Sequence, residues 1–165
     1  MDAGNRRVLT EAEIYRLRAA ASATLSWRLA VELMLGRGLR RGEIFALRAG
    51  DVDLVSCRLL APRVVDIPGE ILEDLRRQVE HLDEDDLVFD WHWYQARVRR
   101  EWHGLTRSAG IEGLGMHALR ATWLLHRIAA MRPGHRSADD TWRAACRRPA
   151  GEWTTPNRAQ RRRAS

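Results

Sequence analysis

Two closely spaced segments indicate the fold: residues 38–48, Gly-Leu-Arg-Arg-Gly-Glu-Ile-Phe-Ala-Leu-Arg, and the following Asp51-Val52-Asp53. Glycine tolerates the left-handed backbone that ends helices, so the dense apolar stretch 25–35 is predicted to be a buried helix stopped at residues 36–38. Residues 41–47 have the spacing of a short helix with Ile44 and Leu47 turned inward. The alternation at 51–54 predicts an extended segment.

The flanking sequence extends this pattern in both directions. Thr10 followed by Glu13 is a capping box, which predicts a helix with Ile14 and Leu17 at helical spacing. Residues 58–61 and 63–67 read as two short strands around Pro62. Further helices are predicted at 71–82 and 92–109, with a short buried segment at 87–89, and an apolar helix at 116–131 carries Leu119, Trp123, Leu124 and Ile128. The fold class is therefore α+β, mainly α-helical, with a small β-hairpin or sheet.

Charge and composition divide the 165 residues into three parts. Residues 1–130 contain 19 Arg and 19 Asp plus Glu, whereas residues 131–165 contain 9 Arg and 3 acidic residues and carry the whole net charge of +6. The tail also loses helical periodicity and is rich in Pro, Gly and Arg, which is typical of disorder. We predict a short N-terminal tail at 1–8, one domain at 9–131 and an Arg-rich disordered tail at 132–165.

The sequence lacks the features that several classes of protein require. No apolar run approaches the roughly 20 residues of a membrane span, and the N-terminus does not have the order of a signal peptide. Cys57 and Cys146 are expected to be reduced thiols. The six histidines have no metal-ligand spacing, and no glycine-rich loop precedes Lys-Ser or Lys-Thr, so neither a metal nor a small-molecule cofactor is expected. We expect a cytoplasmic protein with no membrane partner.

Two boxes carry a resemblance to a known family. Residues 38–48 with Asp51-Val52-Asp53 form the first box, and His117-Ala118-Leu119-Arg120 forms the second, about 80 residues later. The phrases 9–13 and 109–111 and the segment Asp66-Ile67-Pro68 fit the same pattern. Over residues 9–130 the chain resembles the catalytic domain of tyrosine recombinases, the phage integrase family.

The resemblance implies a site for a DNA phosphate. Arg40 and Arg120 correspond to the arginine pair that grips the phosphate oxygens, and His117 to the assisting histidine. The sequence from Pro133 resembles a further box in which His135 is a weaker site residue. Arginine suits this work because its planar fork donates two hydrogen bonds and stays charged. Glu43 is expected to hold an arginine in place.

The resemblance also implies that part of the chemistry is absent. The register from His135 puts Ala144 where the family has its nucleophilic tyrosine, and the only tyrosines, Tyr15 and Tyr94, both precede His117. The family's hairpin lysine has no counterpart because the chain contains no lysine, and Arg63 is a poor proton donor. We therefore expect a recombinase-like protein that does not cleave DNA by itself, so whether it is an enzyme stays open.

The expected partners are double-stranded DNA and other recombinase subunits, with association to the nucleoid when DNA is bound. A basic helix at 92–109 would add DNA contacts through Arg97, Arg99, Arg100 and Arg107, which lie on its outer face. The alternative is a non-enzymatic DNA-binding regulator of helix-turn-helix or related type, in which residues 40–47 would form the recognition helix. Trp91 and Trp93, beside a helix start, are more typical of core than of base stacking.

Overall fold

The computed structural model describes residues 7–61, 63–91 and 95–130, and helices dominate this part of the chain. The helices are α1 (Glu11–Ala21), α2 (Leu25–Arg37), α3 (Arg41–Ala46), α4 (Leu72–Val79), α5 (Gln95–Ser108) and α6 (His117–Ala130). The strands are β1 (Val52–Asp53), β2 (Arg58–Leu59) and β3 (Val65–Asp66), and two 3-10 turns span Ala49–Asp51 and Gly69–Ile71. The predicted fold class, mainly helical with a small sheet, is confirmed.

Helix α2 forms the centre of the core. Eight of its 13 residues are buried, and α1, α4 and α6 all pack against it. Its buried charge, Glu32, is paired with Arg18 of α1: Arg18 Nη2 donates a hydrogen bond to Oε2 at 2.8 Å, and Nε lies 2.8 Å from Oε1. This two-pronged pairing offsets the cost of removing a carboxylate from water, so α1 is held against α2 by charge as well as by apolar contact.

The start of α1 is tied to α6. The predicted capping box is present, since Glu13 Oε2 accepts the backbone N–H of Thr10 at 2.9 Å and the Thr10 hydroxyl accepts that of Glu13 at 3.3 Å. One residue earlier, the backbone N–H of Leu9 donates to Thr122 Oγ1 of α6 at 3.0 Å. Both partners of this last bond are buried, so the end of the chain that leads into α1 is fixed on α6.

The sheet is antiparallel with the order β1-β2-β3, and Leu59 pairs with Val52 on one side and Val65 on the other. The strands are shorter than the predicted segments 58–61 and 63–67. Asp51, predicted to be extended, instead belongs to a 3-10 turn because its carboxylate accepts the N–H of Arg48 at 3.0 Å. A tight turn at residues 54–57 lies directly before β2, and Cys57 adopts a φ of 56° in it.

Helix α6 is less deeply buried than its apolar sequence suggests. Leu119 is fully buried, but Leu124 and Ile128, which belong to the predicted apolar helix, are 51% and 54% exposed. The physical reason is that the buried residues Ala118, Leu119 and Thr122 lie on one side of α6, and Leu124 and Ile128 project from the other side. Helix α5 has Arg97, Arg99, Arg100 and Arg107 exposed, as predicted.

Some predictions fall outside the described residues. These are the disordered tail 132–165 with His135, Ala144 and Cys146, and the segment His92-Trp93-Tyr94. Trp91 is described and packs into the core, with its ring centroid 4.4 Å from that of Trp27 and 5.0 Å from that of Phe89. None of the helices in the described part of the chain has the length and hydropathy of a membrane-spanning segment.

Candidate functional site

The turn between α2 and α3, residues Gly38, Leu39 and Arg40, positions the first predicted site arginine. Gly38 ends α2 in the left-handed conformation, with φ 65° and ψ 30°, and its N–H donates to Met34 O at 3.0 Å. Arg40 then precedes α3 in an extended conformation, and its N–H donates to Glu43 Oε2 at 2.7 Å. Its side chain is 65% exposed. We call these three residues the Gly38 turn.

Arg120 of α6 reaches the same turn. Its Nη1 donates a hydrogen bond to the carbonyl oxygen of Gly38, across 82 residues of sequence. Because two residues of chain span at most about 7 Å, Arg120 is anchored within that distance of the Arg40 backbone. The structure thus brings the two predicted arginines to one turn.

His117 lies on the same face of α6 as Arg120. The two are three residues apart, a spacing that puts Cβ atoms about 5–6 Å from each other on one side of a helix. His117 is the first residue of α6 and its side chain is exposed, whereas the two residues between it and Arg120 are buried. His117 is therefore at the surface next to Arg120.

The hairpin between β2 and β3 supplies a further arginine that the resemblance did not include in the site. Arg63 Nη2 donates to the carbonyl oxygens of Arg37 and Gly38, both at 3.2 Å, and lies 3.9 Å from Glu43 Oε2. Since Arg63 and Arg120 share the Gly38 carbonyl, their nearest nitrogens lie within about 6 Å of each other. The one sign of this arrangement in the sequence is the position of Arg63 in the predicted hairpin.

Glu43 connects the arginines. It accepts the backbone N–H of Arg40, and its carboxylate oxygens lie 3.9 Å from Arg40 Nη1 and 3.9 Å from Arg63 Nη2. The side chain is only 14% exposed, so solvent screens these contacts less than it does at an open surface. One carboxylate thus faces several guanidinium groups and leaves a local excess of positive charge, an arrangement suited to an anion.

Trp123 of α6 packs directly on Gly38. A Cβ added to Gly38 would stand 2.2 Å from Trp123 Cε3 and 2.4 Å from Cδ2, which is far inside contact distance. The guanidinium of Arg127 lies over the same indole, 5.9 Å from the ring centroid. Gly38 is therefore required both for its φ and for the close approach of α6.

The Arg97 end of α5 lies in a different part of the surface. Glu101 of α5 accepts hydrogen bonds from Trp27 Nε1 of α2 at 3.0 Å and from Arg97 Nε at 2.6 Å. The Arg97 bond is the largest cause of the lowered pKa of Glu101, and the Trp27 bond lowers it further. Trp27 is near the start of α2 and precedes Gly38 by eleven residues, which correspond to about 16 Å along the helix axis. The Arg97 end of α5 is thus separated from the Gly38 turn by most of the length of α2.

The described tyrosine, Tyr15, lies elsewhere. It is 75% exposed on α1 and lines a cavity of about 320 Å³ together with Ile14, Leu35, Thr122 and His126. Positions two apart on a helix point about 200° apart, so Thr122 and Arg120 occupy opposite sides of α6. Tyr15 is therefore across α6 from Arg120. Within the described residues, no three His, Cys, Asp or Glu side chains cluster as metal ligands would.

The family model described as the phage integrase family matches residues 7–133. The chain belongs to the phage integrase family. A search of curated proteins found no match. Among solved structures, the fold is similar to a crystal structure of XerA recombinase, with a TM-score of 0.61 and 24% sequence identity over 87% of this chain. The chain spans 59% of the length of that relative.

Proposed function

We propose that this integrase-family chain binds duplex DNA by gripping a backbone phosphate with Arg40 and Arg120, assisted by His117. The observation that carries the proposal is the hydrogen bond from Arg120 to the Gly38 carbonyl, because it anchors one predicted arginine beside the other. The geometry is compatible with a single anion between them.

The donor groups suit a phosphate. A guanidinium has five N–H donors in a planar fork, so Arg120 keeps donors for an anion while one of its nitrogens engages Gly38. Arg40 is well exposed, and its backbone is fixed by Glu43. Because the backbone is already ordered, only the side chain of Arg40 loses freedom on binding, which favours affinity. His117 adds a hydrogen-bond donor beside them.

The arginines of α5 would contact other phosphates of the same duplex. A separation of about 16 Å along α2 corresponds to roughly five base pairs of helix axis, a span that one duplex-binding face can cover. Arg99, Arg100 and Arg107 are exposed, while Arg97 is engaged by Glu101. We therefore assign Arg97 a smaller share of the DNA contacts than the other three.

We further propose that the chain alone does not cleave DNA. Transesterification needs a nucleophile beside the gripped phosphate, and Tyr15 lies across α6 from Arg120. The register that puts Ala144 in the nucleophile position supports the same conclusion. The partners are then duplex DNA and other recombinase subunits, and association with the nucleoid follows from DNA binding.

Binding to a fluorescent duplex, measured by anisotropy over a range of salt concentrations, tests the grip. We expect Arg40→Ala and Arg120→Ala each to weaken binding about tenfold and to lower the salt slope by about 1, as for loss of one phosphate contact. The matched control is Arg77→Ala, an exposed arginine among the acidic residues of α4. Unchanged affinity in both variants would refute the phosphate site. Relaxed base preference with little loss of affinity would favour the DNA-binding regulator.

A nicked suicide duplex tests the proposal that the chain alone does not cleave DNA. The intact chain is incubated with labelled duplex and separated on a denaturing gel. We expect no band of covalent protein–DNA adduct. An adduct that disappears in Tyr15→Phe or Tyr94→Phe would overturn the proposal and identify the nucleophile.

A further inference from the structure

The hairpin and the end of α2 are clamped together from both directions. Arg63 of the hairpin donates through Nη2 to the carbonyls of Arg37 and Gly38, at 3.2 Å each. In return, Arg37 Nε donates to the carbonyl oxygen of Asp66 in β3 at 2.7 Å. Two arginines thus cross between the same pair of elements, so the position of the hairpin and that of the Gly38 turn are coupled.

The C-terminal end of α2 attracts the guanidinium groups of Arg63 and Arg120. The last carbonyls of a helix have no partner within the helix and carry partial negative charge. The carbonyl oxygen of Gly38 accepts hydrogen bonds from both Arg63 and Arg120. The carbonyl oxygen of Arg37 accepts one from Arg63. The arginines therefore fill hydrogen bonds that the helix itself leaves unmade, and they hold the turn in one conformation.

The coupling extends to Arg40 through Glu43. The same carboxylate oxygen that accepts the Arg40 N–H, Oε2, lies 3.9 Å from Arg63 Nη2. Removing the Arg63 charge would leave Glu43 to interact more strongly with the Arg40 guanidinium, now 3.9 Å away at Nη1. The Arg40 side chain would then be drawn toward Glu43 and away from an incoming anion.

We propose that Arg63 is a positioning residue for the phosphate grip, acting through the Gly38 turn and Glu43 rather than by touching DNA. This rests on the proposed function. The prediction is that Arg63 contributes to DNA affinity only while Arg40 is present to be positioned. A direct phosphate contact by Arg63 would instead contribute whether or not Arg40 is present.

A double-mutant cycle on the full chain distinguishes the two. Affinity for the fluorescent duplex is measured for Arg63→Ala, Arg40→Ala and the double variant. We expect Arg63→Ala to weaken binding about fivefold in the natural chain and less than about 1.5-fold in the Arg40→Ala background, the size of coupling usual for contacting residues. Equal losses in both backgrounds, or no loss in the natural chain, would overturn the proposal.

Two further variants separate positioning from general damage. Arg58→Ala removes an arginine from the same hairpin that pairs with Asp66, and it is expected to bind DNA like the natural chain. Arg63→Lys keeps a charged donor within reach of the carbonyls and is expected to restore more than half of the lost affinity. If Arg58→Ala weakens binding as much as Arg63→Ala does, the effect belongs to the hairpin as a whole and the proposal fails.

Amide hydrogen exchange without DNA gives a readout that does not depend on the proposed function. The N–H groups of Leu39 and Arg40, which bond to Leu33 O and Glu43 Oε2, are expected to exchange about fivefold faster in Arg63→Ala and unchanged in Arg58→Ala. Unchanged exchange at Leu39 and Arg40 in Arg63→Ala would contradict the claim that Arg63 stabilises the Gly38 turn. Faster exchange together with full DNA affinity in Arg40→Ala would refute the proposed function while leaving that hold intact.

Discussion

Replacing Gly38 with alanine tests the claim that α6 docks on the turn between α2 and α3. Alanine at φ 65° costs about 1–2 kcal/mol because its Cβ crowds the following carbonyl. The new Cβ would also stand 2.2 Å from Trp123 Cε3, so the indole must move by more than 1 Å to reach contact distance near 3.5 Å. Overpacking of this kind costs about 1–3 kcal/mol.

The two effects together predict a loss of about 2–5 kcal/mol in the free energy of unfolding. For a domain of this size the loss lowers Tm by roughly 6–25 °C. Urea and thermal unfolding followed by circular dichroism at 222 nm measure both quantities. The matched control is Gly42→Ala, since a Cβ there meets nothing within 4 Å and the residue lies inside α3. It should be neutral or stabilise by about 0.5–1 kcal/mol.

Measuring Gly38→Ala in a Trp123→Ala variant isolates the part of the destabilisation that comes from the clash with Trp123. In Trp123→Ala, Gly38→Ala should cost only the backbone part, about 1–2 kcal/mol, because the clash is gone. The reasoning is refuted if Gly38→Ala costs less than 1 kcal/mol in the natural chain, or if its cost is the same in both backgrounds. Either result would mean that the indole does not rest on the turn.

Two further predictions concern stability. Thr122→Val, nearly isosteric, leaves the buried N–H of Leu9 without its acceptor and should cost about 1–3 kcal/mol in urea unfolding; a cost below 0.5 kcal/mol would contradict the tie between the start of α1 and α6. The pKa of Glu101 is lowered by hydrogen bonds from Arg97 and Trp27, so its contribution is present above the ordinary Glu pKa of about 4.3 and lost as the pH falls through the lowered value. The stability difference between the natural chain and Glu101→Gln should therefore shrink between pH 6 and pH 3, and a constant difference would contradict this.

Local sequence was a sufficient guide to most elements of the fold. The capping box at Thr10 and Glu13 and the glycine stop at Gly38 are interactions within a few residues, so their signals are contained in short windows. Ile44 and Leu47 were predicted to face inward from spacing alone, and both are buried. Strand lengths were overestimated because side chains form turns at strand ends; Asp53 Oδ1, for example, accepts the N–H groups of Val55 and Ser56 directly after β1.

The candidate site was predictable only in part. The boxes around Arg40 and Arg120 were visible through a resemblance, and the structure brings both to the Gly38 turn. The hold of Arg63 on that turn and the packing of Trp123 on Gly38 were not foreseen. Neither has a local signature, because an arginine in a hairpin and a tryptophan in an apolar helix have many ordinary explanations.

The sequence by itself determined where helices begin and end, which faces are apolar and which residue types could hold an anion, because backbone preference and hydrophobic period act over a few residues. Only the tertiary structure decided that Arg63 and Arg120, far apart in the chain, meet at one carbonyl, and that Leu124, Leu125 and Ile128 of α6 remain exposed. These outcomes depend on the angle and depth at which α6 packs on α2, and that is set by the fit of many side chains at once.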